Sequence, residues 1–525
     1  MQSYKEQLPP HLRGGWHFAK QNDWGSNNKT KTPSASLAFC SSLGEGAVDI
    51  RRKFVKSITL TNSDLYNTAK GEIMKYYCPE NYGAVGDGVT NDKNAVQAAI
   101  DEAYSNGGGT VVLESGKTYY SSSVTLKKNV ELHLQKGSRL KATSNIDEYF
   151  RPCDFINDET NTLIGNPVTG KPSFCFIYGY KADGCAITGE GVIDANGHSF
   201  VERKDKYYVT GNFYPRPTVI YIENSNNISF KDFTVTDAPF WTLHPAGCDD
   251  VLISKIRILN DLDVANSDGI DPDHCSNVRI EGCHIECADD CICLKTSKGN
   301  AEYGPCKNII ITGCTLISTS AAIKIGTEGV GNFENVIVDN CIISRSNRGL
   351  SIQIRDGGNV NNVSYSNIII ETRRFCPDWW GTAEPIVITA FNRDENTKAG
   401  HISNIRFTNI TCKGENGVLL HGTKDNMIEN VTFENCSVEL SKSSKWETGL
   451  YDLRPCLEYS VEKAENSGFY LRNAKNVTII KSKVKWGKTC EDYAFALDAE
   501  NCPGLKLLHF EGKAANGSDE GNHIV

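Results

Sequence analysis

The sequence has no long basic run, no apolar stretch of membrane-spanning length and, at its start, no apolar core of a secretory leader. Lys and Arg number 55 against 64 Asp and Glu, so the formal charge is −9. A chain without a basic cluster is not built to neutralise a phosphate backbone, so no nucleic-acid partner is expected. A bilayer span needs about 20 apolar residues in a row, so no membrane partner is expected either. The opening "MQSYKEQLPPHLRGGWHF" offers no h-region. No signal peptide is therefore visible, and composition leaves the compartment open.

Twenty cysteines would mean a disulfide framework in a short secreted chain, where a small core needs staples. In 525 residues their meaning depends on where they fall, and a repeat decides that.

From about residue 227 one pattern recurs: Asn or Asp, alternating aliphatics, a small residue or Cys, then more aliphatics. It reads "NISFKDFTV" from Asn227, "DVLISKIRI" from Asp250, "NVRIEGCHI" from Asn277, "NIIITGCTL" from Asn308 and "NVIVDNCII" from Asn335. It continues from Asn362, Asn404, Asn430 and Asn476. The steps are 23, 27, 31, 27, 27, 42, 26 and 46 residues. Alternation of period two means strands, and an opening Asn is turn chemistry. A repeat of this length is a solenoid, and without helices between the strands it is a β-solenoid. The two long steps predict inserted loops. Cys283, Cys314, Cys341 and Cys436 each fall six residues after their unit's Asn. Equivalent positions stack in a solenoid, so these four should form an interior ladder that needs no disulfides.

Ahead of the repeats, "NYGAVGDGVTNDKNAVQAAIDEAYSNGGGTVVLESG" (Asn81 to Gly116) predicts a turn, then a helix with Val96, Ile100 and Ala103 on one face. The helix should stop at Gly107–Gly109 and cover the open edge of the first coil. Residues 1–75 predict an irregular extension, and 76–525 a single solenoid domain.

Aligned by coil, four strands read "SDGIDPD" from Ser267, "DDCICLK" from Asp289, "SAAIKIG" from Ser320 and "NRGLSIQ" from Asn347. Ile270, Ile292, Ile323 and Leu350 form an inward column. Asp271, Cys293, Lys324 and Ser351 form the outward column beside it, and Asp273, Lys295, Gly326 and Gln353 the next. Asp268, Asp290, Ala321 and Arg348 head the strands. Asp289 precedes Asp290 and must point elsewhere, so a bend is implied. Parallel strands lie about 4.8 Å apart, which brings Asp268, Asp289 and Asp290 within reach of one reacting group. Like charges this close raise at least one pKa, and a paired acid and base is what glycoside hydrolysis uses. Clustered carboxylates also suit Ca²⁺, whereas Cys287, Cys291 and Cys293 match no usual zinc spacing.

"NSDGID" (Asn266 to Asp271) and "ADDCICLKTS" (Ala288 to Ser297) resemble the two aspartate motifs of the polygalacturonases, glycoside hydrolase family 28. "YGAVGDGVTNDKNAVQAAID" and "PFWTLHP" (Pro239 to Pro245) are also similar to its members, and the likeness runs over roughly residues 76–510. The resemblance implies an all-β, right-handed parallel β-helix with a short N-terminal capping helix. It also implies hydrolysis with inversion, no metal or other cofactor, a polysaccharide or oligosaccharide substrate and extracellular action. By position, Asp289 would be the general acid, with Asp268 and Asp290 holding and activating the water.

Two motifs depart from the family. Ala321 stands where its Gly-His-Gly motif has the His. "SIQ" (Ser351 to Gln353) replaces an Arg-Ile-Lys that binds the substrate carboxylate. Lys324, Arg348 and Arg355 are the candidate replacement cations, and Gln353 itself is a further candidate substrate-binding residue. "RRFCPDWWGTAEPIVITAFNRDE" (Arg373 to Glu395), inside the 42-residue step, adds Trp380, Glu384 and Arg393. Trp379 and Trp380 either stack on sugar or pin the loop. His244 reads as a hydrogen-bonded structural residue. A Ca²⁺-dependent β-helix lyase or epimerase, and a non-catalytic glycan-binding β-helix, are the competing functions.

Overall fold

A computed structural model describes residues 75–152, 156–157, 162–163, 170–201 and 215–525. The irregular extension expected over 1–75 lies, up to residue 74, outside the described residues.

The nine residues that open the repeat units all take a left-handed backbone, with φ between 52° and 59°. Asn enters this region at least cost among residues with a side chain, because its short amide bonds locally. The amides also bond each other. Asn308 Nδ2 donates to Asn277 Oδ1 at 3.0 Å, Asn335 to Asn308 at 3.0 Å and Asn362 to Asn335 at 2.7 Å. The opening Asn therefore turns each coil and ties it to the next. The strands that follow pair in parallel, with Ile280 on Ile311, Ile311 on Val338, Val338 on Tyr365 and Tyr365 on Phe407. The last two rings stack 4.9 Å apart. This continuous interior column is the core. Cys283, Cys314, Cys341 and Cys436 are buried in it, and every described cysteine is free.

At the front, the helix Lys93–Ser105 packs Val96, Ala99, Ile100 and Ala103 onto the strands Gly109–Leu113 and Val124–Leu126. Asp92, just before it, does not cap the helix with its side chain. Its carboxylate accepts from Val85 N at 2.7 Å and Gly86 N at 3.0 Å, and so fastens the preceding turn. Among the described residues no helix is long and apolar enough to cross a membrane.

One face of the solenoid is interrupted. Its strands include Leu243–Ala246, Ile292–Thr296, Ala321–Gly329, Arg348–Ile354 and Ile386–Ala390. The coil between the first two makes only isolated bridges: Leu243 to Ile270, Ala246 to Asp273, Ile270 to Ile292 and Asp273 to Lys295. Gly269 allows that coil to pass close to the next. A Cβ there would lie 2.4 Å from Cys291 O and 2.7 Å from Ile285 Cγ2. Asp268, at the head of this loosened coil, faces the bend at Ala288–Asp289.

The two long steps are inserted loops, as expected, and both return over this face. The second carries the hairpin Leu450–Asp452 with Val461–Lys463. Buried hydrogen bonds fasten it. Asp452 accepts from Gly381 N at 2.6 Å, and Arg348 Nη2 donates to Asp452 O at 2.5 Å.

Candidate active site

Asp268, Asp289 and Asp290 meet on the interrupted face, and their nearest oxygens lie within 4.8 Å of one another. Asp289 Oδ2 accepts from Asn266 N at 3.2 Å. Asp290 Oδ1 accepts from Ser320 Oγ at 3.1 Å and Ala321 N at 3.2 Å, while Lys324 Nζ stands 2.7 Å from Oδ2. Asp268 Oδ1 is buried without a hydrogen-bond partner, and Lys295 Nζ is 3.6 Å from Oδ2. The bend required by the sequence is present, so the adjacent aspartates address one space from two directions.

Burial and the neighbouring Asp290 raise the Asp289 carboxyl to about 6, against the pull of Lys324 and Lys295. Burial, Asp289 and Asp271 push Asp268 well above the usual carboxylate range, and Lys295 opposes them. Loss of water favours the neutral acid, and so does each like charge. The cluster therefore holds protons that isolated aspartates would release. Lys324 and Lys295 bring positive charge to the cluster, at 2.7 Å from Asp290 and 3.6 Å from Asp268. The cysteines form no metal site: Cys293 Sγ donates to Gly326 O at 2.9 Å, away from Cys287 and Cys291.

The aspartates open into a cavity of about 300 Å³. Four residues expected at the site line it: Lys324, Arg348, Gln353 and Trp380. The two tryptophans differ in burial. Trp380 is 40 % exposed, whereas Trp379 is buried against Phe375, Cys376 and Ala288. Two expectations are corrected. Arg355 is fully buried outside the cavity wall, donating to Pro455 O at 2.6 Å and Leu453 O at 3.0 Å, so it fastens the inserted hairpin. Glu384 is fully buried as well. It accepts from Thr382 N at 2.8 Å and pairs with Arg348 Nε at 3.4 Å, so it holds Arg348 instead of reaching the cavity.

Sequence reasoning missed Lys295, Glu328, Trp241 and Arg454 in the wall. Lys295 stood in an outward column with a readable register. Arg454 had no signal, because nothing in the repeat says where an inserted loop returns. Arg393, raised from loop position alone, does line the cavity and forks onto Asp356 at 2.7 and 2.9 Å. His244 is buried and hydrogen-bonded to Asp273 at 3.3 Å, as expected of a structural residue.

Comparison with known proteins gives the family. The model of glycosyl hydrolases family 28 matches residues 154–450, more than half of the sequence. The chain belongs to glycosyl hydrolases family 28. A second model, of the rhamnogalacturonase A/epimerase, pectate lyase-like group, matches residues 80–150. A Vitis vinifera protein named "Probable polygalacturonase" is 32% identical over 259 residues, covering 47% of this chain and 50% of the relative. An endo-polygalacturonase of Pectobacterium carotovorum is 27% identical over 372 residues, covering 68% and 87%. The chain spans about half the length of the first curated relatives it matches. Among solved structures, a family 28 exopolygalacturonase from Yersinia enterocolitica superposes with a TM-score of 0.60 at 19% identity, covering 82% of this chain and 78% of that one. An exopolygalacturonase from Thermotoga maritima gives 0.59 at 20% identity, covering 70% and 87%. At such identities the likeness establishes the fold. This family 28 chain is a right-handed parallel β-helix.

Proposed function

We propose that this family 28 protein hydrolyses glycosidic bonds of a pectin-type polysaccharide, a galacturonan or rhamnogalacturonan, or its oligomers. Asp289 is the general acid, and its proton goes to the leaving glycosidic oxygen. Asp268 and Asp290 hold a water between them, and Asp290, in contact with Lys324, takes its proton as the water oxygen attacks the anomeric carbon. The observation that carries this reading is one acid raised to about 6 beside a second aspartate in contact with a lysine. Two carboxyls whose surroundings differ in this way can divide acid and base duties.

Inversion in a two-carboxylate site uses a separation of about 6.5–9.5 Å, so that water fits between acid and base. The nearest oxygens here are closer, within 4.8 Å. With three carboxyls the water need not sit between acid and base. It can sit between Asp268 and Asp290, on the far side of the bond from Asp289.

An acidic substrate is supported by Lys324, Arg348, Arg393 and Arg454 around the cavity. They stand in for the basic pair missing at Ser351 and Gln353. Action from a chain end is supported by the fixed hairpin, whose Arg454 and Pro455 wall the cavity. Extracellular action, implied by the family resemblance, belongs to the same proposal.

A reducing-sugar assay over pectic and neutral glycans, with and without a chelator, tests it. Release from a uronic-acid polymer, indifferent to chelator, is expected. Release from neutral glycans alone would overturn the substrate class, and no release would overturn the reaction. A product absorbing in the ultraviolet would assign elimination instead.

A further inference from the structure

Lys295 has no role in the reaction as written above, yet it occupies the most charged point of the site. It belongs to the strand Ile292–Thr296, five residues after Asp290, and is 3 % exposed. Its ammonium lies 3.1 Å from Glu328 Oε2, 3.6 Å from Asp268 Oδ2 and 3.6 Å from Asp271 Oδ1. The Trp241 ring covers it at 4.5 Å. Only the Glu328 contact is a hydrogen bond. Asp271 is fully buried with both oxygens unpartnered, and Asp268 Oδ1 is unpartnered too. A lysine whose sole task was to neutralise Glu328 would not need two further buried carboxyls at 3.6 Å. Buried carboxyls without hydrogen bonds are costly, and they persist where something else fixes them.

We propose that Lys295 is a positioning residue for the water-activating side of the site, its ammonium shared among Glu328, Asp268 and Asp271 so that it fixes where the Asp268 carboxyl points. This rests on the hydrolase reading. The charge is set by every group around it. Asp268 and Asp271 face Lys295 from the preceding coil, and His244 from the coil before that. Asp289, Asp290 and Cys293 share its own coil. Lys324 and Glu328 face it from the next, and Arg393 stands 4.0 Å from Glu328. Glu328 competes with Asp268 for the same ammonium. Removing one or the other should therefore have opposite effects.

The test is the pH–rate profile of Lys295→Met and Glu328→Gln on the uronan that the wild type cleaves, with folding checked by circular dichroism. For Lys295→Met, kcat should fall about 100-fold with KM nearly unchanged, the size of effect expected when a reacting group is misplaced. Both limbs of its profile should move to higher pH, because the aspartates lose a cation. For Glu328→Gln both limbs should move to lower pH, because Lys295 is released toward Asp268. Limbs that stay in place in folded variants, or move the same way, would overturn the proposal. If Lys295→Met does not fold, the direction of the Glu328→Gln shift decides. A wild type that cleaves no uronan fails the hydrolase reading itself, and this inference falls with it; an active wild type with unmoved limbs fails the inference alone.

Discussion

Replacing Asp289 with Asn separates the acid's role in catalysis from its cost to the fold. The folded carboxyl titrates at about 6, chiefly because it is buried beside Asp290. In the unfolded chain an aspartate titrates near about 3.9. Between those two values the unfolded chain gives up its proton while the folded chain keeps it. Stability is therefore lost as pH rises through this window, by about 3 kcal/mol for a shift of about two units. Asn has no proton to lose and keeps an oxygen for the Asn266 N–H. Asp289→Asn should therefore gain stability over the wild type at pH 7 by about 2 kcal/mol more than at pH 4. Its turnover should fall by about 100- to 10,000-fold, the worth of a general acid. Unfolding midpoints in denaturant at the two pH values, with a reducing-sugar assay on the same samples, measure both. The same stability change at both pH values would refute the raised pKa. Turnover within tenfold of wild type would refute the acid.

The two tryptophans should part company. Trp380→Ala should raise KM about 5- to 10-fold at unchanged kcat, since the exposed ring offers a stacking surface. Trp379→Ala should instead lower stability by about 3–5 kcal/mol in thermal unfolding, because it empties a buried site. Gly269→Ala should leave the solenoid folded but reduce kcat about 100-fold. Its Cβ would meet Cys291 O at 2.4 Å and push Asp268 away from its partners; wild-type kinetics in that variant would show that the close passage of the two coils is immaterial.

The site was legible where the repeat reaches and illegible where it does not. Stacked coils turn position into geometry, so the columns through Ile270 and Ile292, and through Ala321 and Arg348, could be read by alignment of short strands. The bend at Asp289 followed from alternation, because two adjacent residues cannot share one face of a regular strand. The loops obey no such rule. Arg355 looked available for substrate because it neighbours the positions where the family's Arg-Ile-Lys is missing. Its guanidinium is instead consumed by carbonyls of a hairpin about 100 residues later. Glu384 was misplaced for the same reason, since its partner Arg348 lies beneath the loop. Lys295 was in register from the start, but its importance depends on a long side chain lying back toward Asp268, which strand alternation does not encode.

The most direct measurement is proton NMR of the first product released from a uronan by the wild-type protein. A saturated sugar whose new anomeric centre is inverted relative to the bond cleaved is the expected result. A retained anomer would contradict the division of labour among Asp268, Asp289 and Asp290, and an unsaturated sugar would contradict hydrolysis.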